Sequence, residues 1–238
     1  MKRIGLLGGM SWESSAEYYR LLNEEIRARC GGLHSADLLL RSVDFNDIEP
    51  LQRAGRWDDA GARLASEARG LQDAGADLLV LCTNTMHKVA EAITSAVDIP
   101  LVHIADATAE AIRANGLSTV GLLATAYTME QDFYVGRLRE RHTLDVVVPN
   151  AADRLIVHDI IYNELCLGIV DDGSRDRYRE IMRGLVEQGA EGILLGCTEI
   201  DLLVGAQDAS VPVFDTTLLH VQKTVELALR ETGRSSPR

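Results

Sequence analysis

The chain has 238 residues, 46% of them hydrophobic and 25% charged, which is long enough to bury one large or two small cores without disulfides. Its formal net charge of −12 would repel phosphate backbones, so we expect neither nucleic acid nor an anionic membrane as a partner. No apolar stretch approaches the roughly 20 residues that cross a bilayer, and we expect a cytoplasmic protein.

Short apolar runs alternate with amphipathic stretches along the chain. The strand-like runs are residues 4–7, 38–43, 78–81, 120–123, 146–148 and 193–195. The helical stretches are residues 16–29, 57–74, 129–141 and 174–188. A capping-box spacing from Ser14 to Glu17 predicts the start of the first helix, and Gly31 and Gly32 predict its end. This alternation predicts an α/β fold with parallel sheets covered by helices on both faces.

An internal repeat divides the sequence into two similar halves. Residues 75–83 (GADLLVLCT) align without a gap on residues 189–197 (GAEGILLGC), an offset of 114. The strand-like segments beginning at Ile4 and Ile99 match segments beginning at Val120 and Val211, at offsets of 116 and 112. The near-constant spacing indicates duplication of one α/β unit.

A duplicated unit predicts two pseudo-symmetric domains with parallel sheets. We assign residues 1–115 and 212–238 to the first domain and residues 116–211 to the second. Ligand sites in parallel sheets lie at the carboxyl ends of the strands, so we expect an active-site cleft between the domains. In the repeat alignment Thr83 corresponds to Cys197, and we expect these two residues to face each other across that cleft.

Polar residues follow the strand of each repeat, at points where we expect helices to begin. Helix N-terminal amides favour a thiolate, so we expect the pKa of Cys197 to be lowered enough for it to act as a base near neutrality. The same amides, including those beside Gly8 and Gly9, suit a carboxylate. The candidate substrate-binding residues at these points are Met10, Asn84, Thr85, Thr125 and Thr198.

Two groups that flank one carbon can remove a proton from one face and return it to the other, which is the requirement for racemisation. A cysteine hydrolase would need a histidine beside its nucleophile, and His87 lies on the other repeat. We expect His87 on a helix surface or behind the site. The histidines and cysteines show no metal-ligand spacing, so we predict no metal.

Residues 4–11 (IGLLGGMS), 82–87 (CTNTMH) and 196–199 (GCTE) resemble the signature segments of the aspartate/glutamate racemase family. The resemblance runs the full length and is especially close to a bacterial subgroup of broad-specificity or L-aspartate/glutamate-specific amino-acid racemases. It implies a cofactor-independent two-base racemase with two pseudo-symmetric α/β domains. Such enzymes are usually homodimers with one catalytic cysteine in each half.

The chain departs from the family where a cysteine normally precedes Asn-Thr, because here Thr83 precedes Asn84. Alternation along a strand sends Cys82 and Thr83 to opposite sides, so a cleft-facing Thr83 leaves Cys82 in the core. We predict Thr83 and Cys197 as the catalytic pair, with Cys82 at a bulged strand end as the alternative to Thr83. By resemblance, Cys197 abstracts the α-proton of the L-enantiomer and Thr83 reprotonates, with Glu199 tuning the thiol.

Substrate choice rests on a second departure. Aspartate-specific relatives bind the side-chain carboxylate with an Arg after the second strand and a Lys in the second domain. The corresponding stretches here, residues 47–53 and 162–167, contain no Lys. Gln52 or Arg53 could still reach the substrate side chain. We therefore expect L-aspartate, L-glutamate or a related small polar amino acid such as homoserine.

Two alternatives to this function stay open. A same-fold enzyme such as a hydantoin racemase would keep the architecture and change the substrate. A non-catalytic amino-acid binding protein would keep the carboxylate site and lack turnover, with Thr83 marking the loss of a cysteine.

Overall fold

The computed structural model describes residues 1–230, which form two compact units. Within the described residues, the first unit contains Met1–Cys82, Val89–Val102 and residues 220–230. The second contains Thr83–Lys88 and His103–Leu219. The division predicted from the sequence stays a prediction; the compact units differ from it in that residues 83–88, 103–115 and 212–219 group with the second half.

The first unit is built on a four-stranded parallel sheet in the order β2-β1-β3-β4. Its strands are β1 (Ile4–Gly8), β2 (Leu38–Ser42), β3 (Leu78–Leu81) and β4 (Leu101–Val102). The helices that follow these strands are α1 (Trp12–Cys30), α2 (Phe45–Arg53), α3 (Trp57–Asp73) and α4 (Ala90–Thr94). Apolar residues of β1, β3 and α1 form the core of this unit, together with Val221 and Val225.

The second unit has a four-stranded parallel sheet in the order β6-β5-β7-β8. Its strands are β5 (Thr119–Leu123), β6 (Asp145–Val147), β7 (Gly192–Leu195) and β8 (Val213–Asp215). Its helices are α5 (Ile104–Ala114), α6 (Ala126–Glu130), α7 (Asp132–His142), α8 (Ala151–Asn163) and α9 (Asp172–Glu187). The last helix, α10 (Thr216–Leu229), begins in this unit and continues into the first.

The two sheets share one topology, which confirms the α/β class and the duplication read from the sequence. The offset of 114 carries β3 onto β7 residue for residue, and the offset of 112 carries Leu101 onto Val213. The two strands of this match lie at the centre of their sheets, and all eight of their residues are buried. Strands that are buried on both faces show continuous apolar runs, which is why the sequence revealed them.

Two helix boundaries differ from the sequence expectation. Helix α1 begins at Trp12 because Ser11 is its N-cap and accepts a hydrogen bond from the Ser14 amide. Ser14 and Ser15, expected at the helix start, are buried inside it. The predicted helix over residues 129–141 is divided between α6 and α7, because Gln131 has extended backbone angles. The predicted end at Gly31 is confirmed, where φ is +74°.

Among residues 1–230, no helix combines the length and the apolar character that a membrane span requires.

Candidate active site

The carboxyl end of β7 leads into a cysteine paired with a carboxylate. Cys197, Thr198 and Glu199 follow the strand, and one 3-10 turn, Ile200–Leu202, comes next. The carboxylate of Glu199 is buried and one of its oxygens, Oε2, accepts two hydrogen bonds. The Sγ atom of Cys197 donates to it over 2.9 Å, and the Oγ1 atom of Thr198 donates over 2.8 Å.

These surroundings raise the pKa of the Cys197 thiol well above its ordinary value. Burial is the largest cause, the negative charge of Glu199 is the second, and the backbone amide of Glu199 opposes them only in part. The expectation of a lowered pKa is therefore wrong. Two short 3-10 turns, Ile200–Leu202 and Ala206–Asp208, follow β7 in place of an α-helix, and the nearest charge to the thiol is a carboxylate. Cys197 is therefore a thiol, and its proton is donated to the carboxylate of Glu199.

Cys82 and Thr83 lie in different surroundings. Cys82 is fully buried among the apolar residues of the first unit, with Sγ 4.0 Å from the carbonyl oxygen of Val80. Burial raises the pKa of its thiol far above the ordinary value. Thr83 is 9% exposed and belongs to the second unit. Cys82 thus packs into a core, as alternation along the strand predicts, while the catalytic role of either residue stays a prediction.

The hydroxyl group of Thr216, which has a single proton, determines the orientation of the Asn84 side-chain amide. Thr216 Oγ1 donates that proton to the carbonyl oxygen of Leu195 over 2.8 Å. It can then only accept from Asn84, so the atom 3.1 Å away is the amide nitrogen Nδ2. The other amide atom, Oδ1, is buried and has no hydrogen-bond partner within residues 1–230. Asn84 therefore presents a buried acceptor, which suits an ammonium group, while the contact with a carboxylate expected from the sequence stays a prediction.

Three threonine hydroxyls converge beside Asn84. Thr85 Oγ1 lies 3.1 Å from Thr125 Oγ1 and 3.4 Å from Thr128 Oγ1, and the last two are 3.3 Å apart. All three residues are buried. The structure thus brings together the predicted Thr85 and Thr125. Thr128 was not predicted; its place three residues after Thr125, in the first turn of α6, is the signal that could have revealed it.

The remaining predicted residues belong to the first unit. Met10 and Gln52 are both buried, whereas the side chain of Arg53 is 73% exposed and lies 3.5 Å from Glu49. Gln52 is therefore the better candidate of the two for contact with a ligand. The Gly9 amide donates to Ser15 Oγ over 2.7 Å, so it is occupied and is not the carboxylate donor expected from the sequence.

His87 is 2% exposed, so the expectation of a position on a helix surface is wrong and that of a position behind the site fits. It lies within the 3-10 turn Thr85–Val89 that follows Asn84, and both of its ring nitrogens contact backbone atoms. Within the described part of the chain, no three His, Cys, Asp or Glu side chains are grouped so that they could hold a metal ion.

Known proteins resemble this chain over nearly its whole length. Residues 7–224 match the model of the Asp/Glu/Hydantoin racemase family. A crystal structure from Yersinia pestis, provisionally described as an Asp/Glu racemase, is 55% identical and covers 97% of this chain and 100% of its own, with a TM-score of 0.92. An aspartate racemase homologue from Pyrococcus horikoshii is 36% identical and covers 96% and 99% of the two chains, with a TM-score of 0.84.

A more distant relative is the broad-specificity amino-acid racemase RacX of Bacillus subtilis, which is 21% identical over 95% of this chain and 98% of its own. The family match, the shared topology of both sheets and the cysteine after β7 agree with one another. The chain belongs to the Asp/Glu/Hydantoin racemase family.

Proposed function

We propose that the protein is a cofactor-independent amino-acid racemase that inverts the α-carbon by proton transfer between Cys197 and Thr83. The contact between Cys197 and Glu199 is the observation that carries this proposal. A half-buried thiol that donates to a buried carboxylate can lose its proton at the moment of reaction, without a permanently ionised thiolate.

The first proton transfer uses that pair. The Cys197 proton moves to Oε2 of Glu199, and the thiolate formed removes the α-proton of the L-amino acid. The carboxyl of Glu199 becomes neutral as the thiolate forms, so the net charge of the pair does not change. Thr198, which donates to the same carboxylate oxygen, helps to hold Glu199 in line with the thiol.

The second transfer uses Thr83. Its hydroxyl delivers a proton to the opposite face of the carbanion, which is a stronger base than the threonine alkoxide that forms. Thr83 is left as an alkoxide and Cys197 as a thiol beside a protonated Glu199. One proton must return to Thr83, and Glu199 must lose one, before the next turnover.

Substrate recognition follows from the acceptors and donors described above. The free Oδ1 of Asn84 suits the α-ammonium group, and the hydroxyls of Thr85 and Thr125 can donate to the α-carboxylate. Gln52 is the candidate for the substrate side chain. Aspartate-specific relatives bind the substrate side chain with cationic residues, whereas the side chain of Gln52 is a neutral amide. An amide can donate to a carboxylate or to a hydroxyl, so the substrate class includes L-aspartate and L-glutamate and extends to polar neutral amino acids such as homoserine.

Thermodynamics sets one constraint on the activity. The two enantiomers have equal free energy in water, so kcat/KM must be equal in the two directions for true racemisation. An enzyme that acts on the L-form but forms no D-product would have to exchange the α-proton without inversion.

Proton NMR in deuterium oxide with L-aspartate, L-glutamate and L-homoserine tests the proposal. We expect exchange of the α-proton to be lost in Cys197→Ser. D-product should disappear in Thr83→Ala but persist in Cys82→Ala, whose side chain lies in a core. Loss of D-product in Cys82→Ala, at unchanged stability, would transfer the second role to Cys82.

Absence of exchange with a wide panel of amino acids would favour one of two other functions. Turnover of a hydantoin would indicate a hydantoin racemase, in keeping with the breadth of the family. Calorimetric binding of an amino acid without turnover of either class would indicate a binding protein.

A further inference from the structure

His87 connects two backbone groups that are distant in sequence. Its Nδ1 atom lies 2.7 Å from the carbonyl oxygen of Thr83, four residues earlier. Its Nε2 atom lies 3.3 Å from the amide nitrogen of Ile104, the first residue of α5. The ring is buried and lies 4.5 Å, centre to centre, from that of His103.

These two contacts determine where the ring carries its proton. A carbonyl oxygen can only accept a hydrogen bond, so Nδ1 must be the donor. A backbone amide can only donate, so Nε2 must be the acceptor. The ring is therefore neutral and is held as the Nδ1–H tautomer. A protonated ring would turn a donor toward the Ile104 amide, and the positive end of α5 disfavours that charge.

Helix α5 gives His87 a rigid support. Ile104, Ala105, Ala109 and Ile112 are all fully buried in the core of the second unit. His103 is the N-cap of the same helix, and its Nδ1 atom accepts from the Ala105 amide over 3.3 Å. His87 thus links the Thr83 carbonyl to the first residue of a buried helix. Thr83 itself lies in a segment that is neither strand nor helix.

We propose that His87 is a positioning residue for Thr83: through the Thr83 carbonyl it holds the hydroxyl where it can return the proton. This inference rests on the proposed racemase function. His87 needs no contact with the substrate and undergoes no proton transfer. Loss of its donor should therefore impair the second proton transfer and leave the first, at Cys197, largely intact.

Two substitutions separate the two contacts of the ring. His87→Asn retains a donor near the position of Nδ1 and loses the acceptor for Ile104. His87→Gln retains an acceptor near the position of Nε2 and loses the donor to Thr83. His103→Asn is the matched control, since Asn is a good N-cap and this residue caps α5 without the contact to the Thr83 carbonyl.

The readout is the ratio of inversion to α-deuterium exchange of the L-substrate in deuterium oxide. In His87→Gln we expect inversion to fall by about tenfold to a hundredfold, while exchange stays within about twofold of wild type. His87→Asn should recover most of the inversion rate, and His103→Asn should keep the wild-type ratio. Equal losses of inversion and exchange in His87→Gln, or no rescue by Asn, would overturn the inference.

The tautomer provides a measurement on the unaltered protein. Nitrogen-15 NMR of the wild type should show Nδ1 protonated, with a scalar coupling across the hydrogen bond to the Thr83 carbonyl carbon. The Nε2–H tautomer would refute the inference even if the variants do not fold. Failure of the racemase proposal looks different, because wild type itself would then show neither exchange nor inversion.

Discussion

At the scale of single residues, hydrogen-bond capacity decides what the candidate site can bind. The Thr216 hydroxyl has one proton and gives it to Leu195, so Asn84 is left with a buried acceptor. A buried polar atom without a partner costs about 1–3 kcal/mol, so a ligand that supplies a donor regains that cost. Hydrogen-bond capacity also defines the role of Glu199, because its carboxylate can only accept and is therefore the acceptor for the proton of the Cys197 thiol.

Replacement of Glu199 by Gln should change the acidity of the Cys197 thiol and the rate of racemisation in opposite directions. The pKa of the Cys197 thiol should fall because a neighbouring negative charge is removed. Racemisation should nevertheless fall by at least about a hundredfold, because the proton acceptor is lost. Alkylation of Cys197 followed by mass spectrometry across a pH series measures the first effect. Thr198→Val keeps the carboxylate and should keep the raised pKa; a lowered pKa there, or an unchanged pKa in Glu199→Gln, contradicts the assignment.

At the scale of elements, the loop between β1 and α1 depends on close backbone approach. Gly9 has φ of +92°, and a Cβ atom there would lie 2.1 Å from the carbonyl oxygen of Val43. Its amide donates to Ser15, a buried residue in the first turn of α1. Gly9, directly after β1, is therefore explained by packing against the residue that follows β2, and not by ligand binding through its amide.

A matched pair of glycine substitutions tests that explanation. Gly9→Ala combines an unfavourable φ with a clash against backbone, and we expect it to lower the free energy of unfolding by about 3–5 kcal/mol. Gly32 also has positive φ, of +58°, but has nothing within 4 Å of the Cβ position. Gly32→Ala should cost only about 1–2 kcal/mol. Urea denaturation measures both, and equal losses would show that backbone conformation alone matters.

At the scale of the whole molecule, a buried histidine of α10 joins that helix to α1, near the beginning of the chain. His220 on α10 accepts from the Tyr18 hydroxyl at Nδ1, over 2.7 Å, and donates from Nε2 to the carbonyl oxygen of Val102, over 2.8 Å. It thereby joins α1, β4 and α10 in the first unit. Burial lowers the pKa of His220 to about 4.

This histidine should make stability depend on pH. The unfolded chain binds a proton near pH 6.5, whereas the folded chain does so only near pH 4, so the contribution is complete above about 6.5 and disappears as the pH falls toward 4. We expect a loss of up to about 3 kcal/mol across that window. His220→Gln should be less stable at pH 7 and show a shallower slope. His34→Gln, at an exposed position, should keep the wild-type slope; an unchanged slope in His220→Gln would contradict this.

The sequence by itself determined the class of fold, the duplication, most strands and the candidate residues after β3 and β7. Central parallel strands are buried on both faces, so their apolar runs and their repeat are visible in one dimension. Helices α2, α4, α5, α8 and α10 were not identified. Asp44 and Asn150 cap α2 and α8, so a start signal was present for these two helices and was not used. Dimerisation and a cytoplasmic location stay predictions.

Tertiary structure alone decided the protonation and orientation of the candidate site. The contact of the Cys197 thiol with Glu199 is local in sequence, but its direction depends on the folded backbone after β7. Which atom of Asn84 is free and what supports His87 depend on contacts between residues far apart in sequence. Asn84 meets Thr216 and His87 meets Ile104 only after the chain has folded. Hydrogen bonds act over about 3 Å, so residue types and spacing can identify the participants, but only packing sets their roles.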